Sequence, residues 1–210
     1  DPELIQELFR QLKKAGISHV LLRNLGDEVP DRLPRGKDID LLVKRDGRER
    51  LRGLMKEHFN MHPKDQDKGN YLYNMDPFDF FRDAQAGFDV DVWYQLACRS
   101  PNRGEWVPLE SSLQGEVWDS RILTDDAPWE SVLGKRMEFI HLVCRCIFDK
   151  RKFTDSYIAR IESLKGELDI DGLAPALRGV FFGYTGRLLK VLNAGSYESL
   201  PEDYITFSDY

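Results

Sequence analysis

Gly36-Lys37-Asp38-Ile39-Asp40-Leu41-Leu42-Val43 reads as a β-strand that starts with two acids and ends in an unbroken apolar run. On a strand, residues i and i+2 share a face. Asp38 and Asp40 therefore project side by side, while Ile39 and Leu41 turn into a core. Two carboxylates about 4 Å apart repel by roughly 4 kcal/mol at an effective dielectric near 20. A divalent cation relieves that repulsion, and hard oxygen ligands bridging two ions are what magnesium-assisted phosphoryl transfer uses. Two acids at a solvated strand end give the same sequence pattern, so the pair is read with its surroundings.

Working outward, the segment from Pro2 to Ala15 sets Leu4, Ile5, Leu8, Phe9 and Leu12 at helical spacing, with Gly16 just past its end. Ser18 to Arg23 reads as a short buried strand. Asn24 to Gly36 is a loop rich in Gly, Pro and Asp. Beyond the acidic strand, Arg45 to Phe59 returns to helical spacing through Leu51, Leu54, Met55 and Phe59. Asn70–Asn74, Phe78–Arg82 and Phe88–Leu96 are expected strands. The third contains Phe88-Asp89-Val90-Asp91-Val92-Trp93, where Asp89 and Asp91 share a face opposite Phe88, Val90 and Val92. If this strand lies beside the first acidic one, it completes a carboxylate triad. After Pro101-Asn102-Arg103-Gly104 the pattern is irregular, and from Trp129 onward it is helical. The order predicts an α+β core over residues 1–125 and a helical subdomain over 126–210.

The helix–strand–loop–"GKDIDLLV"–helix arrangement with its later "VDVW" strand resembles the DNA polymerase beta nucleotidyltransferase superfamily. The fuller phrase "VLLRN…LPRGKDIDLLVKR" is similar to uncharacterised bacterial nucleotidyltransferase-like proteins associated with surface-polysaccharide biosynthesis. The core of the resemblance covers residues 3 to 97. It implies a mixed sheet flanked by helices, a nucleoside triphosphate donor, a small-molecule or glycan acceptor, and two Mg2+ ions, with Mn2+ as a substitute. Carried over, Asp38 and Asp40 bind both metals. Asp91 holds the catalytic metal and activates the attacking hydroxyl, with Asp89 in reserve for that role. The family's phosphate-cradling Gly-Ser is replaced by Arg23-Asn24, and Lys37 stands where a Ser would precede the acids. Arg23, Asn24 and Lys37 are then the expected donor-phosphate contacts, acting by charge in place of a backbone nest. In related enzymes basic residues of the helical subdomain reach donor phosphates. Here those residues would be Lys150 and Lys152, although cations at a helix C-terminus also satisfy the macrodipole. Two rivals keep the same carboxylates: a transferase of another phosphoryl or phosphosugar group, and a catalytically silent nucleotide-sensing or scaffold module.

Composition narrows the partners. Net charge is −6 over 210 residues, which does not favour a long nucleic acid. The basic run Lys44, Arg45, Arg48, Arg50, Arg52, Lys56 is spread around a helix, as a solvated face is. Three cysteines, Cys98, Cys144 and Cys146, match no zinc or redox spacing and suit a reducing cytoplasm. No apolar run is long enough for a bilayer. Asp1-Pro2-Glu3 lacks the features of a signal peptide, and the missing initiator Met fits a trimmed chain or a piece of a longer protein. His141 on an apolar helix face is expected to be a packed core histidine. Trp93, on the carboxylate face, is a candidate for stacking on a base or sugar. Tyr71, Tyr73, Phe78, Phe80 and Phe81 are expected to pack the sheet.

Overall fold

The computed structural model describes residues 1–64, 75–82, 87–100 and 104–207. The expected strand Asn70–Asn74, with Tyr71 and Tyr73, and the turn Pro101-Asn102-Arg103 lie outside the described residues. The chain divides into two compact units, residues 1–96 with 121–133, and residues 97–120 with 134–210.

The first unit opens with helix α1, Pro2–Lys14, capped by Asp1 through a 3.0 Å bond from the Glu3 N–H. Strand β1, His19–Leu21, pairs antiparallel with β2, Asp38–Val43. Helix α2, Arg48–Phe59, follows a short 3-10 turn at Arg45–Gly47. Strands β3, Asp79–Arg82, and β4, Asp89–Trp93, then pair antiparallel, and β4 lies parallel to β2. The parallel β2–β4 pair requires a crossover connection, and α2 supplies the helical part of it. Ile5, Leu8, Phe9 and Leu12 of α1 join Leu51, Leu54, Met55 and Phe59 of α2 against Ile39, Leu41, Val90 and Val92. One face of the sheet is thus covered, and its alternate residues, the acids among them, are left on the other.

The sheet runs β3-β4-β2-β1-β8-β7, where β7 is Ile122–Leu123 and β8 is Ser131–Val132. This corrects the helical reading from Trp129 onward: Glu130 and Ser131 are tied to β1 through His19 before any helix starts. The Glu130 N–H donates to His19 Nε2 at 3.1 Å, and Ser131 Oγ donates to the His19 carbonyl at 2.8 Å. His19 Nδ1 lies 3.0 Å from the Ile17 carbonyl. Burial holds the imidazole pKa below its usual value, against the Ile17 bond and the Glu130 charge. It is a structural histidine joining two strands.

The second unit contains the hairpin β5–β6 (Ala97–Arg99 and Trp106–Pro108) and helix α3, Ser111–Ser120. The irregular reading of this stretch misses α3 because only Leu113 and Val117 are buried on it. Helix α4, Lys135–Cys144, continues in π geometry through Arg145–Lys150. There Arg145 pairs with Asp149 at 2.6 Å, and Asp149 also accepts the Arg99 N–H at 2.7 Å. Helices α5 (Asp155–Lys165), α6 (Ala174–Phe181), α7 (Thr185–Ala194) and α8 (Leu200–Thr206) complete it. Between α6 and α7 the helical path is broken at Phe182, which takes a positive φ of 46°. Buried Cys98, Cys144, Cys146 and His141 belong to this unit's packing. No described helix is long and apolar enough to cross a membrane.

Candidate active site

The parallel register sets Asp38 opposite Asp89 and Asp40 opposite Asp91. Asp38, Asp40 and Asp91 come together at one end of the adjoining strands, with one carboxylate oxygen from each within 4.8 Å of the others. At that separation each ionised pair repels by about 3.5 kcal/mol at an effective dielectric near 20. Asp38 opens the strand and is exposed, whereas Asp40 and Asp91 are buried.

Two guanidiniums face these charges. Arg23, just past β1, pairs through Nη2 with Asp40 Oδ1. Arg82, at the end of β3, sets Nη2 at 2.5 Å from Asp91 Oδ1 and Nε at 3.3 Å from Asp89 Oδ2. Arg82 also lies 5.2 Å over the Phe80 ring, and it is the cross-strand partner of Asp89. Sequence reasoning passes over Arg82. The signal that finds it is its antiparallel pairing with Asp89, which puts both on the carboxylate face.

The electrostatics separate the three acids. Burial is the largest influence on Asp91 and pushes its carboxyl up to about 7; Arg82 pulls it down, and Asp40 and Asp38 add to the rise. For Asp38 burial also opposes ionisation, yet its own backbone N–H, the Arg23 charge, a bond from Asp91 and the Arg82 charge hold it below the usual carboxylate range. Oδ1 of Asp40 and Oδ1 of Asp91 are buried and take no well-directed hydrogen bond among the described residues, only guanidinium ion pairs. Hard oxygens at this spacing, two of them short of donors, are a donor set that suits a divalent cation.

Asn24 closes the loop after β1, accepting the Val29 N–H at 2.9 Å and donating to the Val29 carbonyl at 3.3 Å. Lys37 pairs with Glu28 at 3.0 Å on the surface, while its carbonyl accepts the Asp89 N–H at 3.2 Å. Asp89 faces Arg82 and stands beside the triad, outside its 4.8 Å circle. Lys150 ends the π segment of the second unit, and the Lys152 N–H donates to the Cys146 carbonyl at 3.0 Å. Trp93 is buried with its ring 4.2 Å from that of Phe78, so it packs and presents no open stacking face.

A mixed sheet with two helices on one face, a carboxylate set on the other and a helical second unit defines a nucleotidyltransferase-like α+β fold. No family model matches the chain, and no curated protein sequence matches it significantly. Among solved structures, the solution structure of the antibiotic-resistance factor ANT(2'')-Ia, an aminoglycoside nucleotidyltransferase, is similar to it. Identity is 11% and the TM-score 0.51, over 92% of this chain and 97% of that one.

Proposed function

We propose that the chain is a nucleotidyltransferase that moves a nucleoside monophosphate from a nucleoside triphosphate to a hydroxyl of a small-molecule or glycan acceptor. The observation that carries this reading is the in-register meeting of Asp38, Asp40 and Asp91 across two parallel strands, within 4.8 Å. The likeness to an aminoglycoside nucleotidyltransferase supports it.

In this reading Asp38 and Asp40 would hold the divalent ions, Mg2+ or Mn2+, and Asp91 would be a ligand to one of them. Such ions supply Lewis-acid charge stabilisation to the entering and leaving oxygens of an in-line displacement. The acceptor oxygen bonds to the donor α-phosphorus, the bond from that phosphorus to the bridging oxygen breaks, and pyrophosphate leaves with the electron pair. Asp91 takes the hydroxyl proton. Arg23 and Lys37 face donor phosphate by charge, the work that Gly-Ser amides do in the superfamily.

One observation favours a second reading. Arg23 and Arg82 already neutralise Asp40 and Asp91, so the triad can be held together without metal, as a silent scaffold or sensing module requires. A thermal-shift panel of nucleoside triphosphates with and without Mg2+ separates the two. The transferase reading expects a Mg2+-dependent shift that Asp40→Asn removes. Absence of a shift with every nucleotide sinks it, and a metal-independent shift that survives Asp38→Asn and Asp40→Asn favours sensing.

A further inference from the structure

Beside the triad, on the β4–β3 side, lies a cavity of about 350 Å³ lined by Arg35, Gly36, Lys64, Arg82, Gly87 and Asp89. That volume falls within the range of small-molecule sites, about 300–1,000 Å³, but the wall chemistry is unusual for one. Among the described residues, three cations face a single carboxylate, and that carboxylate is already paired with Arg82. Arg35 and Lys64 are exposed, and among the described residues neither side chain has a carboxylate partner. Gly36 and Gly87 take φ of 80° and 77°, where a side chain is strained, and the Gly36 N–H donates to the Gly87 carbonyl at 3.2 Å. This fixes one wall as bare backbone. Arg82 is common to the cavity and the triad, since the same guanidinium contacts Asp91.

The sheet order β3-β4-β2-β1 puts this cavity and Arg23 on opposite flanks of the Asp38–Asp40 strand. If Arg23 faces donor phosphate and Asp91 takes the acceptor's proton, the acceptor approaches over β4, where the cavity lies.

We propose that the cavity lined by Arg35, Lys64 and Arg82 binds the anionic group of the acceptor, and that the acceptor is a phosphorylated small molecule such as a sugar phosphate. This deepens the transferase reading and rests on it. A polycationic aminosugar acceptor, the class suggested by the structural neighbour's name, would be repelled by Arg35 and Lys64, Arg82 being balanced by Asp89 and Asp91. A phosphate monoester gains charge-assisted hydrogen bonds from all three cations, and its hydroxyls extend toward Asp91.

The test is calorimetric titration of the metal-free full chain at low ionic strength with glucose 1-phosphate, inorganic phosphate, glucose and a polycationic aminosugar. The wild type is compared with the Arg35→Ala/Lys64→Ala double variant, whose changes are both at exposed positions. Saturable binding of the two phosphates is expected, with none of glucose or the aminosugar, and at least a tenfold loss of phosphate affinity in the double variant. Mg2+-dependent nucleotide binding, measured on the same samples, should survive the double substitution. Phosphate binding that the double variant retains, no phosphate binding, or preferential binding of the aminosugar overturns the proposal. Phosphate binding lost in the double variant without any Mg2+-dependent nucleotide binding instead overturns the transferase reading and leaves an anion site.

Discussion

Asp79 on β3 and Asp91 on β4 are both buried acids beside arginines, and they are handled in opposite ways. Asp79 is saturated: Arg52 grips it at 2.7 and 2.9 Å, Tyr94 donates at 2.6 Å, and Arg48 stands at 3.4 Å. Burial opposes its ionisation, but the Arg52 and Tyr94 bonds and the arginine charges outweigh it and hold the carboxyl below its usual range. Asp91 has one guanidinium, two neighbouring acids and a carboxyl raised to about 7. A saturated acid fixes structure. An acid short of donors among other acids has capacity left for a cation.

The largest expected effect is on transfer. On the transferase reading, Asp91→Asn should lower nucleotidyl transfer by at least about a thousandfold, since it removes the group proposed as both metal ligand and proton acceptor. The same variant should leave metal-free stability at pH 8 unchanged or higher by about 1 kcal/mol, a Tm rise of about 2–4 °C for a chain of this size, because a like-charge contact is relieved. Asp79→Ala should do the reverse. It removes the acceptor shared by Tyr94 and two partly exposed arginines, and should cost about 1.5–3 kcal/mol by denaturant unfolding, with the Mg2+ affinity of the folded fraction kept. If Asp79→Ala is as silent in stability as Asp91→Asn, the distinction between the two acids fails.

The pH dependence differs in sign. Asp91 has a raised folded pKa, so its stabilising contribution is fully present below its unfolded value of about 4 and is lost as pH rises toward about 7. Asp79 has a depressed folded pKa, so its contribution is present above about 4 and lost as pH falls below that value. Metal-free unfolding followed from pH 3 to 8 should therefore show Asp91→Asn flattening the neutral side of the curve and Asp79→Ala flattening the acid side. Cation affinity at the triad should weaken below about pH 7 as Asp91 takes up a proton. A smaller effect is expected of Arg23→Ala: about a tenfold loss of nucleotide affinity, the size of one charge-assisted contact, read by calorimetry.

Much of the carboxylate face is legible in the amino-acid sequence. The period of two in Asp38-Ile39-Asp40 and in Asp89-Val90-Asp91 assigns the acids to one side, and the apolar alternates assign the other to α1 and α2. Local pattern carries that information. It does not carry pairing between distant segments, which is why Arg82 and the β7–β8 strands are not legible there: two residues such as Ser131–Val132 have no periodicity to read. Helix α3 is hidden for a related reason, its buried stripe being only Leu113 and Val117. Asn24 shows the limit on the other side. The family resemblance implies a phosphate contact there, and the amide is also engaged with Val29, a use that only loop geometry discloses.

The most direct test of the central claim is Mn2+ binding followed by electron paramagnetic resonance at pH 8, with and without a non-hydrolysable nucleoside triphosphate. The wild type should bind Mn2+ at the triad, with nucleotide increasing the bound ions to two, and Asp40→Asn should abolish both while the chain stays folded. Equal Mn2+ binding by Asp40→Asn, or none by the folded wild type with nucleotide present, would contradict a two-metal centre at Asp38, Asp40 and Asp91.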